Sequence, residues 1–242
     1  FSIDQKIMTG ALTMSSMVDP ATGGKFPILL KEIHEACFDQ SDFFYGFPND
    51  YSAAFFKAIF KWKDKGPINH LEKTPVKDID FLPNIARISV SQLIENSDKI
   101  VDLTRSFAEN YRVTSARSLD YLRWRYFESP RTYEFYVLKE GRVLLGYIVV
   151  SLFDGSKKNI GDIVDLVFRD NDSLKILLRF AEQYFFRLLA KKIDIWSSHS
   201  DLQETLIEQG YTLSGQASSF LVFTNNMEVD QRTLLEGQNN WY

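Results

Sequence analysis

An α/β fold, with mixed twisted sheets and flanking helices, follows from three features of this sequence. Strand-length apolar runs alternate with helix-length amphipathic segments. The alternation occurs twice, in the same order. The chain of 242 residues is 45% apolar, and its 20 Phe, 11 Tyr and 4 Trp supply bulky core material. Such a composition argues against disorder of the whole chain.

The elements read in order as follows. Phe1 to Met8 has the character of a strand entering a sheet, and Ala11 to Val18 is a second strand that ends at Asp19-Pro20. After a loop with Gly23 and Gly24 comes a helix from about Pro27 to Phe38; Pro27 suits a first turn, where its missing N–H costs nothing. Phe43 to Phe47 is a short buried strand, Ser52 to Phe60 a helix, and Ile68 to Leu71 a further strand. Lys73 to Pro83, rich in Pro, Lys and Asp, reads as a linker, and helices follow at Ser91 to Glu95 and Asp98 to Asn110. Tyr133 to Leu138 and Val143 to Phe153 flank the turn Glu140-Gly141 as a hairpin. A strand from Ile163 to Phe168 then leads into a helix from Ser173 to Ala190, with Asp172 or Ser173 as its expected cap. Ile193 to Ser197 is a strand, Asp201 to Gln209 a helix, and Ser219 to Phe223 the closing strand.

The second half repeats the first. Ile28-Leu29-Leu30 aligns with Ile176-Leu177-Leu178, Asn49 with His199, and Trp62 with Tyr211, at a near-constant interval longer than solenoid periods. The bland alternative is that any two strand–helix–strand segments of similar length align this well.

Composition narrows the function. A net charge of -4 does not suit a protein that grips nucleic acid by its phosphates. The lone Cys37 has no disulfide partner, fits a reducing, cytoplasmic setting, and reads as core filler on an apolar helix face. No run of about 18 apolar residues predicts a membrane-spanning helix. No charged-then-apolar leader opens the sequence, which starts at Phe1.

Met14 to Pro20, the loop Ala21-Thr22-Gly23-Gly24-Lys25-Phe26-Pro27, and Tyr45-Gly46-Phe47-Pro48-Asn49 with Tyr51-Ser52 together resemble the acyl-CoA N-acyltransferases of the GNAT superfamily. Tyr121 to Tyr126 with Pro130, and Asn240-Trp241-Tyr242, resemble segments of a tandem, two-domain subgroup linked to bacterial polysaccharide clusters. The resemblance implies two GNAT-like units: residues 1–75 as the later part of the first, 76–110 as linker and connector helices, 111–226 as the second, and 227–242 as a tail. It implies acetyl-CoA or another acyl-CoA as cofactor, held by Met17, Val18, Gly23, Gly24, Lys25, Phe26 and Asn49. In that family, loop N–H groups and the positive end of a helix hold the pyrophosphate.

This chain departs from the family pattern at Phe26, whose ring crowds the place where backbone must approach phosphate, and at Pro27, which lacks a donor. The second unit has Arg169-Asp170-Asn171-Asp172 instead of a glycine loop, and its acids would repel a diphosphate. The second unit is therefore expected to be a scaffold or an acceptor-side wall.

Other residues leave alternatives open. Gly23-Gly24-Lys25 is equally an ordinary strand-to-helix turn, and Asn49 either bonds pantetheine or belongs to a turn before a helix capped by Ser52. Tyr45, Tyr51 and Asp19 are possible acid or base groups, and Tyr45 also reads as core. Arg123, Trp124, Arg125 and Tyr126 form an aromatic–basic cluster expected either to bind an anionic sugar or a nucleotide or to pack as an amphipathic helix. His34, His70 and His199 show no metal-binding spacing, so no metal is expected.

Two functions follow as expectations. One is transfer of an acyl group to an amine, such as an amino sugar or envelope precursor. The other is a non-catalytic GNAT-fold protein that binds a ligand or partner through a degraded loop. Aminoacyl transfer from charged tRNA is a weaker third, set against the acidic balance.

Overall fold

The computed structural model describes residues 1–3, 6–13, 26–77, 84–155 and 158–224. Its first element is not the single strand expected over Phe1 to Met8. Instead β1 (Ser2–Ile3) turns back as β2 (Lys6–Ile7), and β1 also pairs with β7 (Val113–Thr114) in a small three-stranded sheet. Phe1 is tied into this corner, its ammonium donating to the Met8 carbonyl at 2.8 Å and its ring packing edge-on against Phe43 and Tyr45.

A nine-stranded mixed sheet forms the rest of the framework. The amino half contributes β3 (Gly10–Thr13), α1 (Phe26–Cys37), β4 (Phe43–Gly46), α2 (Asp50–Phe60) and β5 (Lys63–Lys73). The connector holds β6 (Ile85–Arg87), α3 (Val90–Glu95), α4 (Ser97–Ala108) and α5 (Leu119–Leu122), which runs on as a π-helical turn over Arg123–Phe127. The carboxyl half contributes β8 (Glu134–Glu140), β9 (Val143–Gly155), β10 (Lys158–Phe168), α6 (Asn171–Arg187), β11 (Lys192–Ser197), α7 (Ser200–Glu208) and β12 (Thr212–Thr224). The strand order is β3-β4-β12-β5-β11-β10-β9-β8-β6.

Pairing within this sheet is symmetric about its centre. β3 is parallel to β4, and β10 is parallel to β11. Between these pairs lie β12 and β5, antiparallel to each other, with β12 antiparallel to β4 and β5 antiparallel to β11. Each half thus lends its last strand to the other. Both strands are longer than their apolar cores at Ile68–Leu71 and Ser219–Phe223, because each has two partners along its length.

Local signals explain the helix ends. Asn49 caps α2, its Oδ1 accepting the Ser52 N–H at 3.0 Å, so Asn49 and not Ser52 is the cap. Asp170 caps α6, accepting the Ser173 N–H at 2.8 Å, which moves the cap upstream of the expected Asp172 or Ser173. His199, aligned in sequence with Asn49, is the N-cap position of α7. Lys61 and Gly210 both take left-handed backbone (φ 59° and 84°) just before the aligned, buried Trp62 and Tyr211.

Helices cover both faces of the carboxyl half. Alternate residues of β9 point to opposite sides, as the pleat requires. Ile148 and Val150 join Leu177, Phe185 and Leu206 beneath α6 and α7, while Tyr147 and Val149 join Leu93, Leu103 and Phe107 beneath α3 and α4. Leu177 is fully buried, so truncation to Ala there should cost about 2–5 kcal/mol. Cys37 packs, partly buried, against the smaller apolar cluster of Leu30, Phe44, Phe56 and Trp62.

Candidate active site

The parallel pairing of β10 with β11 runs from Ile160↔Lys192 to Ile163↔Ile195 and then stops. Beside this point the register of β10 on β9 shifts between Ile163 and Asp165, which is a β-bulge. Bulges bend a strand and re-aim its side chains, and the β10–β11 pairing ends at the same place. The wedge opens into a cavity of about 460 Å³. Asp165 and Leu166 of β10 face Trp196 and Ser197 of β11 across it, and Ile68 and Phe220 from the exchanged strands lie against it. The amino half closes it with Leu12, Tyr45 and Phe47.

Asp165 is the polar centre of the wall. Arg117 Nε donates to both its carboxylate oxygens at 3.1 and 3.2 Å, and Arg117 Nη2 lies 3.0 Å from Oδ1. Tyr147 donates its hydroxyl to Oδ2 at 2.9 Å, and the Leu166 N–H donates to Oδ1 at 2.9 Å. Arg117 is anchored in turn, its Nη1 donating to Thr114 Oγ1 at 3.0 Å and to the Ser115 carbonyl at 3.2 Å. The two charged side chains are only 9% and 7% exposed, so their pairing and hydrogen bonds must answer for each other's lost hydration. Burial, then the Asp165 charge, pushes the Tyr147 and Tyr126 phenols upward, and both stay protonated.

Sequence reasoning read Ile163 to Phe168 as an apolar strand and passed over this network. The available signal was Asp165 itself, a charge inside the run Ile163-Val164-Asp165-Leu166-Val167-Phe168. Acids of that kind are seldom buried without a partner.

Of the aromatic–basic cluster, the structure brings Arg125 and Tyr126 to the cavity. Arg125 Nη1 donates to the Tyr133 hydroxyl at 3.1 Å, and its guanidinium lies over the Tyr126 and Tyr133 rings at 5.7 and 5.4 Å. Arg123 instead pairs with Glu128 at 2.8 Å, and Trp124 is 62% exposed. A π-helical turn carries all four, and such turns splay residues that an α-helix would stack.

Tyr45 is the acid–base candidate whose side chain is described, and it lines the cavity as well as packing on the core. Burial, and then the neighbouring Tyr121, raise its phenol to about 12. Met17, Val18, Gly23, Gly24, Lys25 and Asp19 lie outside the described residues, as do the side chains of Phe26 and Tyr51.

The two helix N-termini that follow the parallel strands differ. At α6 the Asp170 carboxylate already takes the Ser173 N–H, which lowers its pKa, and Asp172 adds a second acid in the first turn. The first turn of α1 carries no acid. An anion is repelled at the first end and not at the second.

The mixed α/β sheet has the fold of solved GCN5-related N-acetyltransferases. No protein-family model matches the chain, and a search of curated proteins finds none similar in sequence. Solved structures do match. A conserved Enterococcus faecalis protein described as a probable N-acyltransferase has a TM-score of 0.66 at 14% identity over 92% of this chain and 56% of its own. Saccharomyces cerevisiae N-myristoyltransferase with bound myristoyl-CoA has a TM-score of 0.64 at 11% identity over 92% of this chain and 62% of its own. A GCN5-related N-acetyltransferase of Anabaena variabilis has a TM-score of 0.60 at 15% identity over 85% of this chain and 52% of its own. These likenesses are of fold, and this chain spans less than two thirds of each of those proteins. No helix among the described residues is long and apolar enough to cross a membrane.

Proposed function

We propose that the protein is an N-acyltransferase that moves an acyl group, acetyl in the simplest case, from acyl-CoA to an amine. The observation that carries this is the wedge between β10 and β11, which opens at the bulge into a cavity shared by both halves. The acyl-CoA tail belongs to the amino half, where Gly23, Gly24 and Lys25 precede a helix without acid in its first turn. The acidic α6 terminus supports reading the carboxyl half as the acceptor side. GNAT-fold neighbours that are N-acyltransferases by name support the reaction class.

The chemistry is aminolysis of a thioester. The amine must arrive unprotonated, attack the carbonyl carbon and lose a proton, while the C–S bond breaks and the thiolate takes up a proton. Tyr45, protonated across the neutral range, suits the donor's part and not the base's. The aromatic walls formed by Tyr45, Tyr121, Trp196 and Phe220 suit the faces of a sugar ring or an ammonium group. An amino sugar or envelope precursor fits that lining.

The test is a melting-temperature titration with CoA and acetyl-CoA, followed by thiol release against a panel of amines and amino sugars. A saturable rise that disappears in Gly24→Trp, with thiol release dependent on one acceptor class, is expected. Absence of any shift or thiol release with the acyl-CoA panel would remove the enzyme reading.

A further inference from the structure

On the sheet face that carries Ile68 and Trp196, one rung further from the cavity, lie His70 of β5 and Asp194 of β11. Two residues along a strand share a face and stand about 7 Å apart. His70 Nε2 and Asp194 Oδ1 are 3.2 Å apart, yet both are fully enclosed and neither has a hydrogen-bond partner among the described residues. The other ring nitrogen explains why. β12 has a bulge between Leu213 and Gly215 that leaves Ser214 without a register partner and turns its hydroxyl onto His70 Nδ1 at 2.9 Å. Ser214 Oγ also lies 3.2 Å from the His70 carbonyl, and when its proton goes there the hydroxyl is free to accept from Nδ1–H. In the neutral ring this leaves Nε2 a bare acceptor aimed at a carboxylate oxygen.

Carboxylates crowd the same place. Register sets Asp194 directly beside Asp162 on one side and Glu72 on the other. Asp162 is answered by Arg131, and Glu72 by Lys192, which reaches both its oxygens at 2.6 Å. Among the described residues, the cation-forming partner of Asp194 is His70 alone. Like charges directly opposite each other on a sheet are destabilising.

We propose that His70, Glu72 and Asp194 form a binding site for a divalent first-row cation of the zinc type. Their ligand atoms all lie within 4.8 Å of one another. Two ligands on a tetrahedral zinc ion, each at about 2.0–2.1 Å, are separated by about 3.3 Å, close to the His70–Asp194 spacing. One imidazole and two carboxylates neutralise the ion, and water completes the shell. Ser214 fixes the tautomer and orientation of the imidazole, as outer partners of metal-bound histidines do. Glu72 reaches the ion by exchanging its partly exposed Lys192 partner for the metal. The site ties β5 of the amino half to β11 of the carboxyl half. Spacing in the sequence hides it, because its ligands come from two strands remote in the chain and a third strand orients one of them.

The test uses the full chain, stripped with a chelator and titrated with zinc by calorimetry and with cobalt(II) by visible absorption. One equivalent should bind, raise the melting temperature, and give the cobalt spectrum of a four-coordinate N/O site. His70→Ala and Asp194→Asn should lose saturable binding, and Asp194→Asn keeps the side-chain shape so that folding is retained. Ser214→Ala should weaken binding about tenfold. Lys192→Met should tighten it by freeing Glu72, an effect that scattered surface binding would not show. No saturable zinc binding, or binding unchanged in Asp194→Asn, overturns the proposal and leaves His70 and Asp194 as a contact between β5 and β11.

Discussion

The two halves of the molecule share a strand pattern and differ in what they do with it. In the carboxyl half, α6 lies on a large core and its N-terminus is closed by its own acid, Asp170. In the amino half, α1 has a smaller apolar cluster beneath it and leaves Ile28, Leu29 and Ile33 exposed. The carboxyl half presents an acidic helix end, and the amino half a helix end without acid. The difference shows that a few charges can distinguish two halves whose strand pairing follows the same scheme.

The sharpest way to break this comparison is at the Arg117–Asp165 pair, which belongs to the wall. Arg117→Ala strands a carboxylate that is 7% exposed, and unfolding in urea should show a loss of about 3–5 kcal/mol. Arg117→Met combined with Asp165→Leu should recover much of that loss, which would show that the cost is the unpaired charge.

The amino half should respond in turnover instead. Tyr45→Phe is expected to lower the rate of acyl transfer about a hundredfold with little change in melting temperature. Equal losses of stability and activity would make Tyr45 a core residue and nothing more. Its ionisation, read by ultraviolet absorption, should lie near 12.

Packing tension tests the wall again. A Cβ placed on Gly161 would overlap the ring of Phe185, which is fully buried and cannot swing aside. Gly161→Ala should destabilise by about 1–3 kcal/mol, read by the shift in denaturant midpoint.

The smallest expected effect is at the α6 cap. Asp170→Ala should cost about 1 kcal/mol. Hydrogen bonds from Ser173 lower the Asp170 pKa in the folded state. The stability this supplies is present above the ordinary carboxylate range and is lost as pH falls through the lowered folded value. Stability curves of the wild type and Asp170→Asn should therefore converge on acidification. Curves that stay parallel would remove the charged cap from the comparison.

Much of the scaffold was legible because it rests on local rules. Alternating apolar periods located most of the helices and strands, and Asn49 with His199 and Trp62 with Tyr211 fell at equivalent helix ends as their alignment implied. Phe1 to Met8 was misread as one strand because nothing local marks a two-residue pairing with Val113–Thr114. Asp165 was visible as a lone acid in an apolar strand, but its partner Arg117 stands 48 residues away. Of the aromatic–basic cluster, Arg125 and Tyr126 turn to the cavity while Arg123 and Trp124 do not line it, because a π-helical turn sets directions that sequence spacing does not encode.

By itself, the sequence determined the alternation of strands and helices, the repeated order and the acidity ahead of α6. Each depends on residues close together in the chain. The tertiary structure alone decided that β5 and β12 exchange halves, that β10 parts from β11, and that Arg117 meets Asp165 and His70 meets Asp194. Those are contacts between distant segments, and their free energy exists only once the whole sheet has brought them within reach.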